Sequence, residues 1–158
     1  MARLIIDGYN VMGTLHRDLR AQREKFLREL LQYQHRRGHH ITVVFDAAGG
    51  VHHELQRQVH GALEVLYSRS NESADAVIKR LLQKHPGAIL VSSDRELVAW
   101  AWAHQAVPVP AEAFLRRLRQ PQEEPLPQPQ EEPARPRKGS PRKPSRKERA
   151  QQRALRKL

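Results

Sequence analysis

The chain has 158 residues, with 28 Lys and Arg against 17 Asp and Glu and a formal net charge of +11. That length allows one domain of ordinary size plus an appendage, and the positive balance favours a polyanionic partner. There is no cysteine, which excludes disulfides, thiolate catalysis and cysteine zinc sites. No apolar stretch approaches a membrane span and no signal-peptide h-region precedes the apolar run at Leu4, so a soluble cytoplasmic protein is expected.

Residues 3–6 predict a short buried strand that breaks at Asp7-Gly8, where glycine permits a sharp change of direction. From about Leu15 to Arg37, Leu15, Leu19, Phe26, Leu30 and Tyr33 recur at helical spacing, and Gly38 supplies a stop. ITVVF, residues 41–45, is apolar throughout, as in a strand covered on both faces, and ends at Asp46. The polar, His-rich stretch from Gly49 to Gly61 fits either a helix, with Leu55 and Val59 four apart, or a loop. LEVLYS, residues 63–68, predicts a further strand. SADAVIKRLLQKH follows as a helix with Ser73 as N-cap, Asp75 in the first turn and Val77, Ile78, Leu81 and Leu82 facing inward. Pro86-Gly87 stops it, AILVS makes the next strand, and Asp94 comes directly after. RELVAWAWAHQ predicts a helix with Trp100 in the core and Trp102 on the surface, neither expected as a stacking platform; VPV is a short strand and AEAFLRRL the closing helix.

The composition divides the chain into a domain at 1–119 and a tail at 120–158. The tail holds eight of the eleven prolines and no aromatic residue, too little apolar surface to offset its ordering entropy, so it is expected to be disordered. It runs from an acidic Pro- and Gln-rich spacer into a basic segment, RPRKGSPRKPSRKERAQQRALRKL. Extended Pro-rich chain would carry that segment away from the body to meet a polyanion. Arg142, Lys143, Arg146 and Lys147 are its candidate contacts to that polyanion. A merely solubilising tail is the plainer alternative.

Alternating strands and helices imply an α/β fold with a mainly parallel sheet and helices on both faces. In such sheets the functional crevice lies beyond the carboxyl ends of the strands. Asp7, Asp46 and Asp94 emerge there, and Asp75, in a first helical turn, can point back toward the same edge. Taken singly, Asp75 reads equally well as a helix-dipole charge and Asp46 as a turn residue. Together the carboxylates repel one another unless a cation sits among them, and oxygen-only ligation suits Mg2+ or Mn2+ better than zinc. Such an ion polarises a phosphodiester and orients water, which points to phosphodiester hydrolysis. Asn10 can add a neutral oxygen or hold a carboxylate. Arg69 and Arg95 are the basic residues nearest the acids for phosphates, and Tyr9 is either a base-stacking residue or packing under the turn. The paired histidines His39-His40 and His52-His53 form no zinc pattern and are expected at the surface.

IIDGYNVM, VVFDA, SADAVIKRL, VSSDRE and VPVPAEAFLRRL, in that order over about residues 3–118, resemble the YacP-like branch of the NYN domains within the PIN-like nuclease superfamily. The resemblance implies a PIN-like three-layer sandwich and a metal-dependent endoribonuclease. Its acidic site would be Asp7, Asp75 and Asp94, with Asn10 and Asp46 as further members, and messenger RNA at the ribosome is the substrate it suggests. It does not extend over the tail. Rival readings are a haloacid-dehalogenase phosphatase, which needs a second Asp where Tyr9 stands, a noncatalytic RNA- or ribosome-binding module, and a nuclease processing ribosomal or transfer RNA. Fold alone does not choose among the RNA targets, and neither cleavage sequence, metal number nor oligomeric state is legible.

Overall fold

The computed structural model describes residues 2–13, 18–47, 53–120 and 143–158. In chain order the elements are β1 (Arg3–Asp7), α1 (Gly8–Met12), α2 (Leu19–Arg37), β2 (His40–Phe45), β3 (Gln56–His60), β4 (Leu63–Tyr67), α3 (Ala74–Lys84), β5 (Ile89–Val91), α4 (Arg95–Ala103), β6 (Val107–Val109), α5 (Ala111–Arg119) and α6 (Arg146–Lys157). The strands form one sheet in the order β3-β4-β2-β1-β5-β6, parallel except for β3 against β4.

Alternation along the central strands separates two apolar layers. Leu4 and Ile6 of β1 join Phe26, Leu30 and Tyr33 of α2 and Phe114 and Leu118 of α5 on one face. Ile5 faces the other way, among Val77, Ile78 and Leu82 of α3 and Leu97 and Ala101 of α4. The fold is therefore the expected α/β three-layer sandwich. The helix ends follow local chemistry: Asp18 caps α2 by accepting from the Ala21 N–H at 3.1 Å, Gly38 ends it with φ of 66°, and Ser73 caps α3 through the Ala76 N–H at 3.2 Å. Leu15 falls outside the described residues, and Leu19, read as part of the inner stripe, is 40% exposed.

Gly8 acts through space rather than through a turn. It opens α1 directly after β1, and a Cβ there would sit 2.3 Å from the ring of fully buried Phe45. Only glycine lets the chain pass Phe45 so closely.

Three expectations are corrected. The stretch left as helix or loop contains a strand, β3, whose five residues are all exposed. His39, expected at the surface, is buried against Tyr33, and its Nδ1 accepts from the Ala2 N–H at 3.2 Å. The tail is not disordered throughout: residues 146–157 form α6, opened by a Ser145/Glu148 capping box and docked on the body. Ala154 and Leu158 are buried in the α2/α5 layer, and the Tyr33 hydroxyl donates to the backbone oxygen of Leu158 at 2.6 Å. Averaged over a Pro-rich tail, this thin apolar stripe is invisible, yet at helical spacing it fits the face beside β6. Arg142 and the rest of 121–142 lie outside the described residues.

Candidate functional site

The strand order reverses at β1: the chain steps through β2 to β4 on one side, then returns through α3 to β5 on the other. Open parallel sheets have their crevice at that switch point, beyond the strand carboxyl ends. Asp7 is the last residue of β1, and Ser92, Ser93 and Asp94 follow the neighbouring strand β5.

Asp7 is 8% exposed. Its carboxylate accepts from the Ser92 hydroxyl at 3.3 Å and from the Asn10 backbone N–H. Burial, then the charges of Asp75 and Asp46, push its pKa up to about 6 against those two hydrogen bonds. Asp75, in the first turn of α3, is raised too, first by burial and then by Asp94, Asp46 and Glu96, with Lys79 opposing. Asp7 thus feels the charges of Asp75 and Asp46, and Asp75 those of Asp94 and Asp46.

Two of them also hold the backbone. Asp46 Oδ1 accepts from the Ala74 N–H at 2.7 Å and so pins the start of α3; Asp94 Oδ1 caps α4 through the Leu97 N–H at 3.0 Å. Each keeps its second carboxylate oxygen free of any such bond among the described residues. Ser92 links the two strand ends, since its Oγ donates to Asp7 and accepts from the Asp94 N–H at 3.1 Å. Asn10 plays a similar part: its Oδ1 accepts from the Ser93 N–H at 2.8 Å, which ties α1 to the end of β5.

These donors suit a hard divalent cation, being carboxylate oxygens with uncompensated charge. Among the described residues, however, no three His, Asp or Glu side chains stand close enough to share an ion as they lie. The coupling acts over a longer range than ligation.

Of the proposed RNA contacts, Tyr9 packs edge-on to Phe45 with ring centroids 5.0 Å apart, and its hydroxyl accepts from Arg23 at 3.1 Å. Arg69 is exposed, its Nε 4.0 Å from Glu72. Arg95 is exposed at the start of α4, and Lys143 and Arg146 are exposed beside and on α6. Lys147 reaches over the Trp102 ring at 5.4 Å. Two residues escaped sequence reasoning. Glu112, in the first turn of α5, accepts from Ser93 Oγ at 3.4 Å and adds a carboxylate near the edge; an acid opening the helix after a strand was the available signal. Arg23 carried none, because its contacts with Tyr9, Phe45 and Tyr67 cross between elements.

Known proteins bear on this arrangement. Bacillus subtilis (strain 168) YacP, described as uncharacterized, is 33% identical over 89 residues, which is 51% of this chain and 51% of that protein. The aligned stretch spans about half the length of that relative. The crystal structure of Rae1 (YacP) from Bacillus subtilis superposes with a TM-score of 0.59 at 27% identity, covering 75% of this chain and 74% of that one. A single-substitution mutant of the same protein gives 0.61 at 24% identity, covering 75% of each. The family model described as YacP-like NYN domain matches residues 4–158, so the family pattern runs through α6 rather than ending before the tail as the resemblance had suggested. With a match over nearly its whole length, the chain belongs to the YacP-like NYN domain family, a family of nuclease-like domains.

Proposed function

We propose that this chain is a divalent-metal-dependent endoribonuclease that hydrolyses RNA phosphodiesters, with messenger RNA on the ribosome as its substrate. The observation that carries the reading is the gathering of aspartates at the sheet's switch point, where Asp7 is buried without a cationic partner among the described residues and its pKa is raised by burial and by Asp75 and Asp46, and that of Asp75 by burial and by Asp94 and Asp46. Asp7, Asp75 and Asp94, with Asp46, would hold Mg2+ or Mn2+. When bound, that ion supplies charge neutralisation at the phosphate and an activated water. The chain's own residues do the positioning: Ser92 fixes the Asp7 carboxylate, Asn10 fixes the Ser93 backbone, and the Leu97 N–H orients Asp94. Membership of a nuclease-like family supports hydrolysis of nucleic acid, and the net positive charge supports RNA as the partner. Among the described residues no helix is long and apolar enough to cross a membrane. The ribosome rests on the resemblance to YacP-like members that act there.

The test is cleavage of messenger RNA on translating ribosomes and of free structured RNA, with Mg2+ or Mn2+, by wild type and Asp94→Asn. Asparagine retains the oxygen that caps α4, so lost activity reports the charge rather than the fold. Metal-dependent cutting that disappears in the variant is expected. Ribosome binding without cutting of either substrate would overturn the enzyme reading in favour of a noncatalytic module.

A further inference from the structure

Beside the acidic edge lies an open cleft of about 550 Å3, within the range of roughly 300–1,000 Å3 typical of small-ligand sites. Its lining begins at Ser92 and Ser93, the residues hydrogen-bonded to Asp7 and Asn10. One wall is α4, with Arg95 and Trp102; the floor is Pro108 and Pro110 around β6; the opposite wall is α6, with Lys147 and Gln151. Gln151 anchors that wall by donating from Nε2 to the Pro108 carbonyl at 3.0 Å.

The chemistry of the lining is specific. An indole and two proline rings supply apolar surface, and two cations line the same cleft. Among the described residues neither Arg95 nor Lys147 forms an ion pair. Lys147 instead lies over the Trp102 ring, a weak contact at an exposed site that a stacked base can replace. A hydrophobic slot with unpaired cations beside it is what a nucleotide of single-stranded RNA requires, base on the aromatic face and phosphates on the charges. A duplex would hide its bases from the indole.

Resting on the endoribonuclease reading above, we infer that the cleft between α4, β6 and α6 is a nucleotide subsite that holds single-stranded RNA next to the scissile phosphate, with Trp102 stacking a base and Arg95 and Lys147 holding phosphates. One wall of the subsite belongs to α6, so the basic C-terminal helix is part of the substrate site and not merely an electrostatic appendage.

The test uses the full chain and a short 2′-O-methyl RNA oligonucleotide, which binds but resists cleavage. Titration should quench tryptophan fluorescence. The quench should vanish in Trp102→Phe, where Trp100 remains as an internal control, and affinity should fall about tenfold in Trp102→Leu. Lys147→Glu and Arg95→Ala, both at exposed positions, should weaken binding and flatten its salt dependence. Absence of quenching at saturation, or wild-type affinity in both charge variants, overturns the subsite, as does preference for duplex over single strand. The two readings fail separately. Binding with the Trp102 quench but no cleavage under any metal would sink the nuclease and leave the subsite. Cleavage lost in Asp94→Asn yet unchanged in KM by the cleft variants would do the reverse.

Discussion

Replacing Asp7 by asparagine should make the metal-free protein more stable while removing its activity. Asp7 sits in the fold with its pKa pushed from the ordinary 3.8 to about 6 by burial and by Asp75 and Asp46. Between those two values the folded chain keeps a proton that the unfolded chain has lost, so stability falls as pH rises through the window. Below pH 3.8 both states are protonated and the penalty is absent; above about 6 both are ionised and it is complete. A displacement of that size corresponds to roughly 3 kcal/mol, an order-of-magnitude figure. Asparagine keeps an oxygen that can accept from Ser92 and carries no charge to desolvate. Urea unfolding with chelator present should therefore show Asp7→Asn more stable than wild type by about 1–3 kcal/mol near neutral pH. The gap should close toward pH 4. Added Mg2+ should narrow it again, because a cation bound only by the native wild type stabilises that state by mass action. A variant no more stable than wild type at neutral pH, or a gap that ignores pH, would refute the account of Asp7 as a buried, electrostatically strained carboxylate.

Other perturbations test neighbouring links. Ser92→Ala removes the hydroxyl that lowers the Asp7 pKa and receives the Asp94 N–H; the acid limb of the pH–rate profile should move to higher pH, and an unmoved limb would separate Asp7 ionisation from the rate. Gly8→Ala puts a methyl 2.3 Å from the Phe45 ring, so it should cost about 1–3 kcal/mol by overpacking, read as a lowered urea midpoint. Tyr33→Phe loses the bond to Leu158 and should cost about 1 kcal/mol. Removing residues 143–158 should cost more still, because Ala154 and Leu158 are buried in the core; a midpoint unchanged by truncation would mean that α6 does not dock in solution.

What could be read from the sequence followed burial. β1, β2 and β5 are apolar on both faces, so their runs end at the acids that matter, and the sheet's switch point follows from the order of elements. β3 lies at the sheet edge with every residue exposed, so QRQVH has no apolar alternation to detect. α6 is mostly Arg, Lys and Gln, and its contact with the core is confined to a few small or terminal residues. His39 looks like half of a polar pair until the Ala2 backbone and the Tyr33 ring close over it. Asp46 and Asp94 were legible as acids at strand ends. Their second task, capping backbone N–H groups of α3 and α4, depends on distances that residue spacing does not contain.

The charge of this molecule is divided between an acidic sheet edge and a basic helix. A phosphodiester brought to the end of β1 meets the fields of Asp7, Asp75 and Asp46, so without a cation the edge repels the substrate it would cut. Attraction must come from elsewhere. On α6, Arg146, Arg149, Arg153 and Arg156 recur at helical spacing along its exposed face, whereas Lys147, Gln151, Ala154 and Leu158 share the opposite face, the first two lining the cleft and the last two buried in the core. One helix therefore has two sides: an arginine stripe that faces solvent, and an opposite face that walls the cleft near its start and forms an apolar seam with the core near its end. A tethered disordered tail would supply only the first. Because the seam is thin, the orientation of the arginine stripe relative to the acidic edge rests on a few contacts: the Tyr33 bond to Leu158, the Gln151 bond to Pro108, and the burial of Ala154.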